Sequence, residues 1–271
     1  MNPYRETTLA HLAEYKRSHL GVTTDGRWHH NDKPFAHLLP EDQHELNILP
    51  DIRADVLAFA ASAGIRLQRD FHHLTSLQAL AFNLFFPFRT ASAAARVALA
   101  KALGLSGVQV TDVRFNVVLE GDEQSIFDAV LDLDKGLALV AVKLTEDEFG
   151  AGKTDSTHPH KRGALYRQRL QGKVGTSALT DAVFWSSYQL LRNLAYASPK
   201  DGRYVILLIP RANALLTTST QRFLSGFLDA EYRPWVRIVF LEDFLDALRD
   251  LPGLPELDAH FRDVRTKYAA V

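Results

Sequence analysis

Apolar residues recur along this chain with two different periods. Up to about residue 103 they fall every three or four positions, as on one face of a helix. Leu9, Leu12, Ala13 and Leu20 mark such a face over residues 4–19. Residues 21–50 break the pattern with Gly26, Pro34 and Pro40, which predicts a long irregular arm. Helices are expected at 52–63, ending at Gly64, and at 76–86, capped by Thr75 and broken at Pro87. Another should cover 92–103, stopped by Gly104. From Val108 the period becomes two. A first strand is expected over 108–119, then a hairpin over 125–133 and 137–145. A long helix over 176–197, ended by Ser198-Pro199, leads to the apolar run 204–209, which reads as a buried strand. A helix at 213–228, a strand at 236–241, a helix at 242–251 and a last helix to about Tyr268 complete the pattern.

The hairpin carries the most informative residues. Asp134-Lys135-Gly136 supplies its turn, with Gly136 free to take positive φ. Strand alternation puts Asp128, Ala141 and Lys143 on one face. An Asp and a Lys set among Val, Leu and Phe are costly to bury unless they act there. A cross-strand ion pair is the plain structural account of the two.

This arrangement resembles the PD-(D/E)XK nuclease superfamily, which has an Asp on one strand and (D/E)-X-K on the next. Asp128 matches the first acid and Lys143 the lysine, while Ala141 stands where the second acid belongs. The likeness extends to K-x-T-E-x-x-F-G, here residues 143–150, and to Gln189 on the helical stretch after the hairpin. It spans roughly residues 70–245. The resemblance implies an α/β fold: an αβββαβ core with a mixed central sheet over 71–271, and a helical extension over 1–70 packed on it. It implies a Mg²⁺-dependent (or Mn²⁺-dependent) endonuclease cutting DNA in restriction or another anti-phage defence. Asp128, the Val142 carbonyl and Glu120 would hold the metal, and Lys143 with Gln189 would act on the reacting water and phosphate. Ala141 is expected to be a Glu-to-Ala inactivation, with a natural loss or relocation of the acid as the competing account. Glu146 falls on the opposite face of a regular strand, which makes it a weak substitute. The alternatives are a pseudonuclease that binds DNA without cutting, and an interaction subunit of a defence complex. A homodimer is plausible for a chain that cuts both strands.

Composition narrows the chemistry. The chain has no cysteine, which excludes disulfides, thiolate nucleophiles and zinc–cysteine sites. No apolar run has the length of a bilayer span, and a cytoplasmic setting is the simplest expectation. The net charge of −1 is not that of a DNA-coating protein, so local charge decides. Between Gly150 and Gly175 six cations (Lys153, Lys161, Arg162, Arg167, Arg169 and Lys173) face one acid, Asp155. With Arg192 and Asn193, which share a helical face with Gln189, they are expected to meet nucleic-acid phosphates. Gln78 and Asn83 are expected near the same cleft. The pairs His29-His30 and His72-His73 suggest surface or core-edge roles. Residues 150–154 lack the full spacing of a nucleotide-binding phosphate loop.

Overall fold

In a computed structural model, which describes residues 2–119, 127–152, 159–249, 251 and 254–269, a five-stranded mixed sheet carries helices on both faces. The first helix, α1 (Pro3–Ser18), starts where the Asn2 side chain accepts the Tyr4 N–H. The arm contains a small antiparallel ribbon, β1 (Gly26–Trp28) and β2 (Lys33–Phe35), and a 3₁₀ segment, Glu41–Asn47. Three helices follow: α2 (Pro50–Ser62), α3 (Leu77–Phe85) and α4 (Ala93–Ala102). Ser76, one residue beyond the expected Thr75, caps α3 through the Ala79 N–H. The meander β3 (Val110–Arg114), β4 (Ala129–Leu133) and β5 (Gly136–Val142) is antiparallel. Helices α5 (Pro159–Leu170), α6 (Asp181–Ser186) and α7 (Tyr188–Leu194) connect it to β6 (Arg203–Ile209), which lies parallel to β5. After α8 (Ala214–Phe227), β7 (Val236–Phe240) adds in parallel to β6, and α9 (Leu241–Ala247) and α10 (Pro255–Tyr268) close the chain.

Alternation builds two cores. Ala129 and Leu131 of β4, Ala138, Val140 and Val142 of β5, and Ile206 and Leu208 of β6 pack on one face. Leu12 of α1, Val56 of α2 and the residues of α3, α4, α9 and α10 share that core. Val130, Leu139, Ala141, Val205, Leu207 and Ile209 pack on the other face against α5 to α8. At about 25 cal/mol per Å² of apolar area removed from water, such two-sided burial is what holds the central strands. The hairpin turn is as expected: Gly136 has φ +107, and a Cβ there would meet the Gly202 carbonyl oxygen at 2.1 Å.

Several elements differ from the sequence expectation, among them the first strand, which covers Val110–Arg114 and not 108–119. The third strand stops at Val142 and does not reach residue 145. The basic segment contains a helix, α5, where no complete element was foreseen. The single helix over 176–197 is instead a 3₁₀ turn (Thr176–Leu179), α6 and α7, separated at Thr180 and Ser187. The break has a long-range cause. The Gly152 N–H donates to the Trp185 carbonyl (2.7 Å), and the Gln189 N–H donates to the Gly150 carbonyl (3.1 Å). Main-chain groups at the α6–α7 junction thus bind the segment that leaves β5.

Candidate active site

The ladder between β4 and β5 ends at the pair Ala129–Val140, while β5 continues to Val142. The Asp128 N–H still donates to the Val140 carbonyl (2.9 Å). The Val142 N–H has no strand opposite it, and Asp128 Oδ2 accepts it at 2.7 Å. On the other edge the Lys143 N–H donates to the Leu208 carbonyl of β6 (3.0 Å). Because a trans peptide points its C=O opposite to its N–H, the Val142 carbonyl is directed to the Asp128 side. One strand edge therefore presents a carboxylate and a main-chain carbonyl together. Burial pushes the Asp128 carboxyl up to about 6, against the pull of the Val142 N–H and the Lys143 charge, and Glu146 adds to the rise.

Lys143 reaches Gln189: its ammonium donates to Oε1 at 3.4 Å and lies 5.7 Å from the Phe149 ring centre. Gln189 stands at the start of α7 because Gly150 lets the chain pass against it. Gly150 has φ +106, and a Cβ there would meet Gln189 Nε2 at 2.8 Å. Asp128, the Val142 carbonyl, Lys143 and Gln189 thus gather at one end of β5. Ala141 is 4% exposed and packs with Phe127, Leu139 and Phe149 in the α5–α8 core. Glu120 and Lys153 lie outside the described residues.

Strand parity does not extend to Glu146. Leu144 still packs in the core of Val140 and Val142, and the chain then bends at Leu144 and Thr145, so alternation does not reach residue 146. The Glu146 side chain folds back, and its Oε2 accepts the Leu144 N–H at 2.8 Å. Asn213, fully buried at the head of α8, donates to the carbonyls of Glu146 (2.8 Å) and Leu144 (3.3 Å). Asn2 binds Asp147 Oδ1 (2.7 Å) and Asn213 Oδ1 (3.1 Å). These long-range amide contacts have no local signature in the sequence.

The expected phosphate-binding residues separate into different environments. Arg167 pairs with Asp181 and sits over the Phe184 ring (4.4 Å to its centre). Arg169 stacks on Tyr196 (4.9 Å), and Arg192 Nε donates to the Tyr166 hydroxyl (3.1 Å). Lys173 donates to the carbonyls of Ala195 (2.7 Å) and Ala197 (2.6 Å), and burial lowers it to about 8. Asn193, on the helical face it shares with Gln189 and Arg192, is 4% exposed. Lys161 and Arg162 belong to the first turns of α5. Gln78 and Asn83 do not join this site. Gln78 ties the Gln68 N–H and Arg66 carbonyl, and Asn83 binds the Leu49 N–H, the Asn47 carbonyl and Tyr268. His29 and His73 both approach Asp70, at 2.8 and 3.4 Å, on the opposite core.

Among the described residues, no three or more His, Cys, Asp or Glu gather to hold a metal. An ion at Asp128 would therefore rest on one or two carboxylates, a carbonyl and water. Magnesium accepts such a set, since it keeps several waters and prefers oxygen.

A family model described as restriction endonuclease associating with ARP matches residues 9–269. The chain belongs to this family. The match covers the α/β sheet, both cores and every described site residue from Asp128 to Asn193. No curated protein matches the chain, and no solved structure does. In this restriction-endonuclease family member, no described helix is long and apolar enough to cross a membrane.

Proposed function

We propose that the chain is a metal-dependent DNA endonuclease of the PD-(D/E)XK kind, serving restriction or anti-phage defence. The observation that carries this reading is the meeting of Asp128, the Val142 carbonyl, Lys143 and Gln189 where β5 outruns β4, in a chain of a restriction-endonuclease family. The donors are of the kind Mg²⁺ takes, with Mn²⁺ as a substitute: one hard carboxylate and one carbonyl on the same edge, a set that a second acid would complete. When bound, the metal supplies charge neutralisation at the phosphate and a water that ionises near neutral pH.

The protein's own groups have separate tasks. Asp128 holds the ion and, once ionised, is no longer an uncompensated buried charge. Lys143 places a cation beside the scissile phosphate and orients the attacking water. Gln189 holds the lysine in that direction. Lys153, Lys161 and Arg162 contact backbone phosphates, and Arg167, Arg169 and Arg192 add charge from their ring-stacked positions. Ala141 leaves the second motif acid empty, so the chain cuts only if another acid completes the set. The family description names a partner, ARP, and supports a chain that works within an assembly.

The test incubates duplex DNA with Mg²⁺ or Mn²⁺ and the chain, its Ala141→Glu variant, and each with Lys143→Ala. Metal-dependent cleavage by the chain or by Ala141→Glu, abolished by Lys143→Ala, is the expected result. Folded protein that cuts in neither form would overturn the nuclease reading and favour a DNA-binding or partner-binding role.

A further inference from the structure

We propose that Glu146 is the second acid of this site, supplied from the bend after β5 to replace the carboxylate that Ala141 lacks. The inference rests on the nuclease reading above and identifies the residue which completes it.

The argument is one of backbone direction. In an extended segment, amides two residues apart point to the same edge, about 6.6 Å apart at 3.3 Å per residue. Asp128 Oδ2 accepts the Val142 N–H, and Glu146 Oε2 accepts the Leu144 N–H. Between these amides the Lys143 N–H faces the opposite edge, toward Leu208. The two carboxylates therefore bind successive same-side amides of one segment, and the Val142 carbonyl is directed between them. Each has one oxygen engaged with the main chain and one left to bind an ion. Lys143 lies in the chain between the two amides that these carboxylates accept.

Position 141 offers the contrasting environment. Its alanine is 4% exposed in the α5–α8 core and supplies no ligand, so the acid must come from another position unless a longer side chain is placed there. Glu146 is instead fixed in place by Asn213, which is fully buried and binds the carbonyls on both sides of the bend. Such support holds a ligand in its working geometry before the ion arrives.

The experiment is Mn²⁺ binding to the full chain by calorimetry and by electron paramagnetic resonance, followed by cleavage. Glu146→Gln keeps an oxygen for the Leu144 N–H, so the fold should be retained, as circular dichroism would verify. The expected loss of Mn²⁺ affinity is at least about tenfold, the scale on which even supporting partners of metal ligands act. Ala141→Glu placed in the Glu146→Gln background should recover binding. Wild-type Mn²⁺ affinity in Glu146→Gln, with Asp128→Asn defective, would overturn the role of Glu146 alone. No Mn²⁺ binding by the wild-type chain would overturn it together with the nuclease reading.

Discussion

Asp128→Asn should make the metal-free protein more stable at neutral pH. The Asp128 carboxyl moves from 3.8 to about 6 on folding, chiefly because burial removes water from the charged form. That displacement corresponds to about 3 kcal/mol between its two protonation states, at 1.36 kcal/mol per pH unit. Below pH 3.8 the group is protonated in both folded and unfolded chains and contributes no difference. Between 3.8 and 6 the unfolded chain releases its proton while the folded chain retains it, so stability falls as pH rises. Above 6 the full cost remains, as an ionised carboxylate held in place. Asparagine keeps an oxygen for the Val142 N–H and removes the charge. Urea unfolding in EDTA should therefore show the variant ahead by roughly 1–3 kcal/mol at pH 7.5, with the gap closing by pH 4. Added Mg²⁺ should narrow the gap at pH 7.5 by stabilising only the wild type. A gap that is absent, reversed or unchanged between pH 4 and 7.5 would refute the assignment of Asp128 as a charge awaiting its counter-ion.

Gly150→Ala should cost about 1–3 kcal/mol from its positive φ and displace Gln189, lowering cleavage more than stability alone explains. Gly172→Ala shares a positive φ with nothing within 4 Å, and should lose stability without losing cleavage. His37 and His73 are each pushed down to about 4 by burial, below the ordinary 6.5. The unfolded chain then binds protons first as pH falls, so stability should drop from about pH 6.5 to 4, by up to about 3 kcal/mol per group. Unfolding titrations of the His37→Asn, His73→Asn double variant should show that slope flattened; an unaltered slope would count against it. Lys161→Ala with Arg162→Ala should weaken DNA binding evenly across sequences and reduce the salt slope by about 2. An unchanged slope in a salt titration would remove α5 from the DNA contact.

The hairpin was legible because it is buried on both sides and because a one-residue slip would reverse every side chain. Alternation therefore placed Val130, Leu139 and Ala141 on one face and Leu131, Val140 and Val142 on the other, as observed. The break at Ser187 was not legible. Phe184, Leu190, Leu191 and Leu194 keep near-helical spacing through it, and its cause lies with Gly150 and Gly152, more than thirty residues earlier. Helix α5 was hidden by its cations; Tyr166 and Leu170, each buried, supply the packing that fixes it. Glu146 lay beyond the reach of alternation for a different reason. Parity is a property of extended backbone, and it ends at the bend of Leu144 and Thr145.

The end of the ladder at Val142 explains why chemistry collects there. A strand that outruns its neighbour leaves main-chain groups unpaired, and each must find a partner or face water. Here the unpaired amides of Val142 and Leu144 are taken by Asp128 and Glu146, so two acids are drawn to one edge by the same deficit. The opposite edge remains paired to β6 and keeps the segment straight enough to aim Lys143 at Gln189. Asn213 and Asn2 then fasten the bend from α8 and from the head of α1. The N-terminal helix is consequently part of the frame of the site: its capping residue also fixes the position of the segment that carries Glu146. A partner that engaged α1 would act on the same frame through Asn2, which caps the helix through its side-chain oxygen and binds Asp147 through its side-chain nitrogen.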